Sequence, residues 1–236
     1  MSPLRPFGTD LWLGDGPVVT AALGFRYPTR MAVLRMPQGL ALWSPVAPTP
    51  DMRAAVATLG PVRHLIAPNA LHNLHAAAWL QAAPDARLHA APGFERRAPG
   101  VRVTDTLGDS PLWPGVVDQI LIPNRIAPEV VLFHRPSGTV LVCDLLQGFD
   151  ADWFTGWRGL VARLDGMTHA RTGPGATVAP GVPRKFRLAM GRGADLRSRI
   201  ARVLAWPARQ VVMAHGTPVT EDAAAYLRRA FGWLPD

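Results

Sequence analysis

Several polar side chains that could bind a metal ion stand directly after apolar stretches of the sequence. They are Asn69, His72 and His75 after HLIA, His134 after EVVLF, Asp144 after TVLVC, and His215 after QVVMA. Neutral imidazole and carboxylate groups are ligands for zinc and iron. In α/β architectures, ligands bind where strands end and loops begin. Delivery of such groups by four separate strand ends therefore indicates a metal site more strongly than any one residue does alone.

The pair His72 and His75 follows a turn signal and precedes an alanine-rich segment that predicts a helix over residues 70–83. Residues three apart share one face of a helix, so the two imidazoles could bind the same ion. Polar residues also occur at helix starts without any metal, and this second interpretation stays open. Asn69 is predicted to cap the helix, with a contact to substrate as the alternative.

The other candidates also have structural interpretations. Asp144 ends a strand of apolar residues, and a buried unpaired charge is costly, so a metal ion or an arginine must accompany it. Cys143 alternates with Asp144 along the strand, which predicts that its side chain faces the core. We expect core or surface roles for three further histidines, namely His64, His89 and His169.

The elements that must position these groups alternate between β-rich and α/β stretches. Hairpins are predicted at residues 14–16, 37–39 and 136–138. Thr49 and Pro50 predict the start of a helix that Gly60 ends, and further helices are predicted over 194–206 and from Thr220 onward. The Pro- and Gly-rich segment 171–184 predicts a loop.

This order of elements favours one layer arrangement. A doubly wound parallel sheet is the alternative, but parallel strands need long crossovers, and consecutive hairpins do not supply them. Two sheets packed face to face with helices on the outside, a four-layer αββα sandwich of the α/β (α+β) class, fits the pattern.

Five segments of the chain resemble segments of a known superfamily and follow the same order. They are YPTRM (residues 27–31), SPV (44–46), GPVRHLIAPNALH (60–72), EVVLFHRPSGTVLVCDLL (129–146) and AHG (214–216). Through them the chain resembles a bacterial branch of the metallo-β-lactamase superfamily that has no established function and a divergent metal motif. The resemblance implies a single metallo-β-lactamase-like domain over residues 1–236, with one metal-binding loop in each half.

The main motif of that superfamily, His-x-His-x-Asp-His, is not reproduced. Laid directly on the motif, its ligand positions fall on Asn69, Leu71, Asn73 and Leu74. A small shift lets His72 and His75 take two of the four roles. Asp144 falls where the superfamily has its metal-bridging aspartate, His215 where it has its last ligand, and His134 near its third histidine.

The resemblance therefore implies a metal-ligand set and an activity. The implied ligands are His72, His75, His134, Asp144 and His215, around one or two Zn or Fe ions. We expect a metal-dependent hydrolase that attacks an anionic small molecule or an ester with metal-bound hydroxide, with Asp144 in the catalytic centre. The substrate-binding candidates are Asn69, Arg135 and Arg184. The missing motif keeps an alternative open, namely a catalytically degenerate binding or partner protein without metal.

Composition narrows the remaining function classes. The 236 residues are 48% hydrophobic and carry a formal net charge of +8, almost all of the cations being arginine. The Arg-rich segment 184–209 predicts a solvated helix face, with an anion-binding rim as the alternative. Nucleic-acid binding is not expected, because no aromatic stacking motif accompanies the basic residues. We predict neither a membrane span nor a secretory signal, and expect a cytoplasmic protein that acts on a small molecule.

Overall fold

Most strands belong to one of two sheets in the computed structural model, which describes residues 2–168, 170, 171, 177, 178 and 181–234. The first sheet has the order β1 (Leu4–Gly8), β2 (Leu11–Thr20), β3 (Arg26–Met36), β4 (Gly39–Trp43), β5 (Val62–Ala67), β6 (Arg87–Ala90) and β7 (Asp105–Thr106). The second contains β8 (Val117–Ile122), β9 (Glu129–His134) and β10 (Thr139–Val142). A small ribbon pairs β11 (Ala170–Arg171) with β12 (Thr177–Val178), and β13 (Gln210–Met213) completes the second sheet beside β10.

The helices divide between the two outer faces of the sheets. They are α1 (Pro50–Ala57), α2 (Ala76–Ala82), α3 (Phe94–Arg97), α4 (Gly156–Asp165), α5 (Arg184–Met190), α6 (Ala194–Leu204) and α7 (Ala223–Phe231). Helices α1 to α3 bury residues such as Trp79 and Phe94 against the first sheet. Helices α5 to α7 bury residues such as Ile200 and Leu227 against the second. No helix among the described residues is long and apolar enough to span a bilayer.

A third apolar layer lies between the two sheets. Trp43 and Ile66 of the first sheet pack there with Leu141 and Val212 of the second, all fully buried. Burying a side chain of this size contributes about 1.5–3 kcal/mol each, so this layer holds the two sheets face to face. The arrangement is the αββα sandwich that the sequence predicts, and the parallel alternative is excluded by the antiparallel pairing of β1 to β4.

Local predictions succeed where the signal is a complete cap or turn. The hairpins at 37–39 and 136–138 are confirmed, since β3 pairs with β4 and β9 with β10 in antiparallel register. Helix α1 begins at Pro50, and the Thr49 hydroxyl accepts a hydrogen bond from the backbone N–H of Met52 at 3.2 Å. The hairpin at 14–16 is wrong, because β2 runs through these residues and pairs with β1 and β3.

Two helix starts differ from the prediction. Helix α2 begins at Ala76 rather than near residue 70, because residues 70–75 form turns that tertiary contacts hold against helix propensity. Asn69 therefore does not cap a helix. Helix α7 begins at Ala223 after Asp222, so Thr220 is not its cap. Most of the predicted loop 171–184, and His169 before it, lie outside the described residues.

Candidate metal centre

The ends of three strands meet at one edge of the sandwich. Asp144 and His215 follow β10 and β13, which run parallel, so both reach the same edge of the second sheet. His72 lies in the turns after β5. Its Nε2 atom lies 3.4 Å from Oδ2 of Asp144, and Nε2 of His215 lies 3.5 Å from Oδ1. The two imidazoles thus face different oxygens of one carboxylate.

The hydrogen bonds of His215 determine where its proton lies. Its Nδ1 atom is 2.7 Å from the backbone carbonyl oxygen of Pro28, which can only accept, so Nδ1 carries the hydrogen. Burial lowers the pKa of His215 to about 4, against a smaller upward effect of Asp144. The ring is therefore neutral near pH 7, with the Nε2 lone pair facing Asp144. Two lone pairs in that position repel each other unless a cation lies between them.

His72 is oriented in a similar way by Ser44, whose Oγ lies 2.8 Å from Nδ1 of the ring. The two imidazole rings lie side by side, with centroids 5.1 Å apart. Among the described residues, one ligand atom each of His72, Cys143 and Asp144 lies within 4.8 Å of the other two. Cys143 is fully buried between the sheets, as its position in the strand predicts, and burial raises the pKa of its thiol. It is therefore protonated unless a metal ion displaces the proton.

Two amides support the Asp144 carboxylate. The side-chain amide of Asn69 donates to Oδ2 at 2.8 Å, and that of Gln147 donates to Oδ1 at 3.4 Å. Burial alone would raise the pKa of Asp144, but His72 as the largest lowering cause, together with the Asn69 amide, holds it well below its usual range. Asp144 is therefore an ionised, buried carboxylate with its two oxygens held toward the two imidazoles.

A second buried carboxylate lies beneath the first. Glu129 accepts hydrogen bonds from the backbone N–H groups of Cys143, Asp144 and Leu145 at 2.6, 2.8 and 3.1 Å. It also accepts from the Asn69 amide at 3.1 Å. Burial, with the charge of Asp144 as the next cause, raises the pKa of Glu129 to about 7. Glu129 thus fixes the chain at the end of β10 and is a site residue that the sequence analysis missed.

A cavity of about 380 Å³ opens over these groups. His72, Asp144 and His215 form its polar floor. Its walls are mainly apolar, and Tyr27 and Lys185 are among the residues that line them. Burial, followed by the charge of Asp144, raises the pKa of Tyr27 to about 12, so its phenol is a hydrogen-bond donor at neutral pH. The cavity has the size and character of a small-molecule site.

Solved structures with this architecture cover nearly the whole chain. The metallo-β-lactamase FIM-1 from Pseudomonas aeruginosa in its mono-zinc form matches with a TM-score of 0.61, 13% identity, and coverage of 96% of this chain and 93% of that one. A metallo-β-lactamase from Hirschia baltica matches with a TM-score of 0.62, 11% identity, and coverage of 99% and 98%. The chain has the metallo-β-lactamase fold. At these identities the likeness establishes the fold and not the activity.

The metallo-β-lactamase fold also occurs in another of these matches. The metal-soaked flavodiiron core of Flv1 from Synechocystis sp. PCC6803 has a TM-score of 0.62, 14% identity, and coverage of 98% of this chain and 60% of that one. No protein-family model and no curated protein sequence matches the chain. Divergence of this degree is consistent with the missing His-x-His-x-Asp-His motif.

Not all of the candidate ligands reach this centre of the metallo-β-lactamase fold. His134 is fully buried at the opposite end of β9, where it pairs with Thr139 and where Nδ1 lies 2.8 Å from the Ser137 hydroxyl. Because β9 and β10 are antiparallel, the end of β9 and the end of β10 lie at opposite edges of the sheet. The ligand set is corrected accordingly, and His134 is removed from it.

The other candidates are distributed around the centre. His75 lines the cavity wall, but it precedes α2 without capping it, and its buried Nε2 has no hydrogen-bond partner among the described residues. Arg135 lies at the distant edge with His134 and forms an ion pair with Asp118 at 2.7 Å, so it is not positioned to bind substrate here. Arg184 lines a second cavity beside the first.

Two of the remaining histidines form a separate pair. Nδ1 of His64 lies 3.0 Å from Nε2 of His89, and both rings pack on Trp113. Asp105 approaches Nδ1 of His89 at 3.1 Å. Burial lowers the pKa of His89 to about 4. The pair lies on β5 and β6 and lines a separate cavity together with Asp105 and Trp113.

Proposed function

We propose that this chain is a metal-dependent hydrolase of the metallo-β-lactamase fold that acts on an anionic small molecule or an ester. The observation that supports this most is the relation of His72 and His215 to Asp144. Both rings present Nε2 to an ionised carboxylate, while their Nδ1 atoms are held by Ser44 and by the Pro28 carbonyl. Imidazoles oriented through their second nitrogen in this way are typical of metal ligands.

The donor atoms fit a zinc or iron ion. His72, Asp144 and His215 supply two imidazoles and a carboxylate, a set that both metals accept. The repulsion between the His215 lone pair and the Asp144 carboxylate is removed by a cation. His72, Asp144 and His215 would hold the metal, and each imidazole faces a different oxygen of the carboxylate. When bound, such an ion supplies Lewis acidity and lowers the pKa of water toward about 7.

The protein groups around the centre have separate roles. Asn69 and Gln147 hold the Asp144 carboxylate in orientation, and Glu129 fixes its backbone. Tyr27, in the cavity wall, can donate a hydrogen bond from its hydroxyl to a substrate oxygen that gains negative charge. The apolar walls exclude water from the reacting bond and strengthen these interactions.

A metal-free binding protein is the second candidate, and Asn69 is the observation that favours it. Its amide donates to both Asp144 and Glu129, so one carboxylate oxygen already has a neutral partner where the superfamily would place a ligand histidine. In this case the cavity would bind a small molecule without hydrolysing it.

Hydrolysis of chromogenic esters distinguishes the two candidates. Protein treated with a chelator and then supplied with Zn²⁺ or Fe²⁺ should regain p-nitrophenyl ester hydrolysis. Asp144→Asn should reduce kcat/KM by at least about 100-fold, since it removes the charged ligand. Arg192→Gln, an exposed change outside both cavities, is the matched control and should leave the rate unchanged. Equal rates in chelated, reloaded and Asp144→Asn protein would exclude the hydrolase and leave the binding protein.

A further inference from the structure

A second cavity, of about 570 Å³, adjoins the one over the candidate metal centre. The two share the wall residues Ala21, Tyr27 and Lys185. Tyr27 therefore stands between a cavity with a polar floor and a cavity without one. We call the first the inner cavity and the second the outer cavity. A ligand that passes Tyr27 can occupy both.

The lining of the outer cavity is mostly apolar and is open to solvent, and its charged residues are Asp165, Arg184 and Lys185. Leu23, Leu164 and Leu188 contribute to it with 75%, 57% and 81% of their surface exposed. These side chains come from three separate elements, namely the turn 22–24, α4 and α5. Apolar surface concentrated in this way is unfavourable in water and marks a binding site for an apolar group.

Leu23 is in a backbone conformation that a leucine rarely adopts. Its φ is +58°, in the left-handed region, where Gly and Asn are the usual residues. The backbone is held there by the Arg158 side chain, which donates to the Leu23 carbonyl at 2.8 Å. A leucine that is both strained and exposed does not stabilise the folded protein by burial. We therefore infer that the Leu23 side chain contacts a ligand in the outer cavity.

One cation at the outer cavity is available for a ligand. Lys185 is already paired, because its ammonium lies 3.4 Å from Asp165 and its backbone N–H donates to the same carboxylate. Arg184 lines the outer cavity, is exposed, and has no ion-pair partner among the residues that the structure describes. The outer cavity thus combines an apolar surface with one free guanidinium.

We propose that the outer cavity binds the apolar chain of an anionic amphiphile, with the anionic end on Arg184 and the chain directed past Tyr27. This inference rests on the proposed function only for the other end of the ligand, which reaches His72, Asp144 and His215. The substrate class is therefore an acyl compound with an apolar chain and a single negative charge. An uncharged ester of a short acid would leave the outer cavity empty.

Binding of fatty-acid anions to metal-stripped protein tests the proposal without requiring catalysis. Dansyl-labelled undecanoate is the fluorescent probe, and octanoate, dodecanoate and dodecanol compete with it. We expect dodecanoate to displace the probe at lower concentration than octanoate does, because a longer chain buries more apolar surface. Dodecanol should compete more weakly than dodecanoate, because it lacks the charge for Arg184.

Two variants and two matched controls locate the site. Leu23→Asn removes the apolar side chain and suits the positive φ, and Arg184→Gln removes the charge. Each should weaken dodecanoate binding by about five- to tenfold. The controls Leu112→Asn and Arg192→Gln alter residues that line neither cavity and should bind as wild type does.

Several results would overturn the proposal. They are unchanged dodecanoate binding in Leu23→Asn or Arg184→Gln, equal competition by dodecanol, and no displacement at all. A change of oligomeric state in Leu23→Asn with unchanged dodecanoate binding would assign the surface to a second copy of the chain instead. The protein carries no metal in this assay, so the two proposals are tested separately. Dodecanoate binding that depends on Leu23 and Arg184, together with no metal-dependent ester hydrolysis, would exclude the proposed hydrolase activity and retain the amphiphile site.

Discussion

The Nε2 atom of His215 lies 3.5 Å from Oδ1 of Asp144, while Nδ1 of the same ring lies 2.7 Å from the Pro28 carbonyl oxygen. The Pro28 carbonyl oxygen accepts a hydrogen bond from Nδ1–H, which is the only N–H group of the neutral ring. The unprotonated Nε2 atom therefore faces the Asp144 carboxylate. A protein without a cation at this point would have to tolerate that repulsion or protonate a deeply buried imidazole. The arrangement therefore supports the proposal that His215 and Asp144 bind one cation together.

Replacement of Glu129 tests the support beneath the centre. Glu129→Gln keeps the shape but replaces one of the two oxygens that accept from the backbone N–H groups with an NH2 group, which is itself a donor, so at least one buried N–H loses its acceptor. We expect the free energy of unfolding to fall by about 2–4 kcal/mol, as measured by urea titration. Glu95→Gln, at an exposed position of α3, is the control and should change the free energy of unfolding by less than about 0.5 kcal/mol. Equal stabilities of the two variants would contradict the support role of Glu129.

The glycine after His215 has a conformational and a steric reason to be there. Gly216 has φ +122°, and a Cβ at this position would overlap the backbone of Gly148, with which Gly216 forms a β-bridge. We expect Gly216→Ala to lower the free energy of unfolding by about 3 kcal/mol or more, because the alanine is strained at this φ and its Cβ also clashes with the Gly148 backbone. Gly166→Ala isolates the conformational part, since φ is +77° and ψ +27° with open space around the position, and should cost about 1 kcal/mol. Thermal unfolding that ranks the two variants the other way would contradict the packing described for this turn.

The amount of the site that can be predicted from sequence depends on how local its contacts are. The sequence predicts that Asp144 and His215 lie close together, because each follows an apolar strand within two residues. Glu129 could not be identified, since its role depends on backbone N–H groups that fold back onto it from the far side of a hairpin. Its one signal is a carboxylate at the start of an otherwise apolar strand. The contact between His215 and Pro28 joins residues far apart in the chain and has no local signal.

The error on His134 has a different origin. The hairpin at 136–138 requires β9 and β10 to be antiparallel, and the end of β9 must then lie away from the end of β10. The position of His134 therefore follows from the direction of β9, which the occurrence of a polar residue after an apolar stretch does not indicate. The αββα fold itself was predictable, because alternating strands and helices with consecutive hairpins leave few ways to bury both faces of each sheet.

His134 should make the protein less stable in acid. Burial lowers its pKa from 6.5 to about 4, so the unfolded chain binds a proton in a pH range where the folded protein does not. The stability associated with the neutral His134 ring is fully present above the pKa of the unfolded chain. It is lost as the pH falls toward the pKa of His134 in the folded protein. Wild type should lose about 2 kcal/mol more than His134→Gln between pH 7 and pH 5, in urea titrations at each pH. The other buried histidines are present in both proteins and cancel. Parallel losses in the two proteins would show that His134 titrates normally.

The metal content of purified protein tests the central claim most directly. Protein prepared without chelator should carry on the order of one zinc or iron ion per chain by mass spectrometry of the metals. Asp144→Asn and His215→Asn should each lose most of it, and His134→Gln should retain it, because His134 lies at the other edge of the sheet. A wild-type metal content below about 0.2 ion per chain, with no further decrease in Asp144→Asn, would contradict the proposed metal centre. Any metal present would then not be bound by these residues.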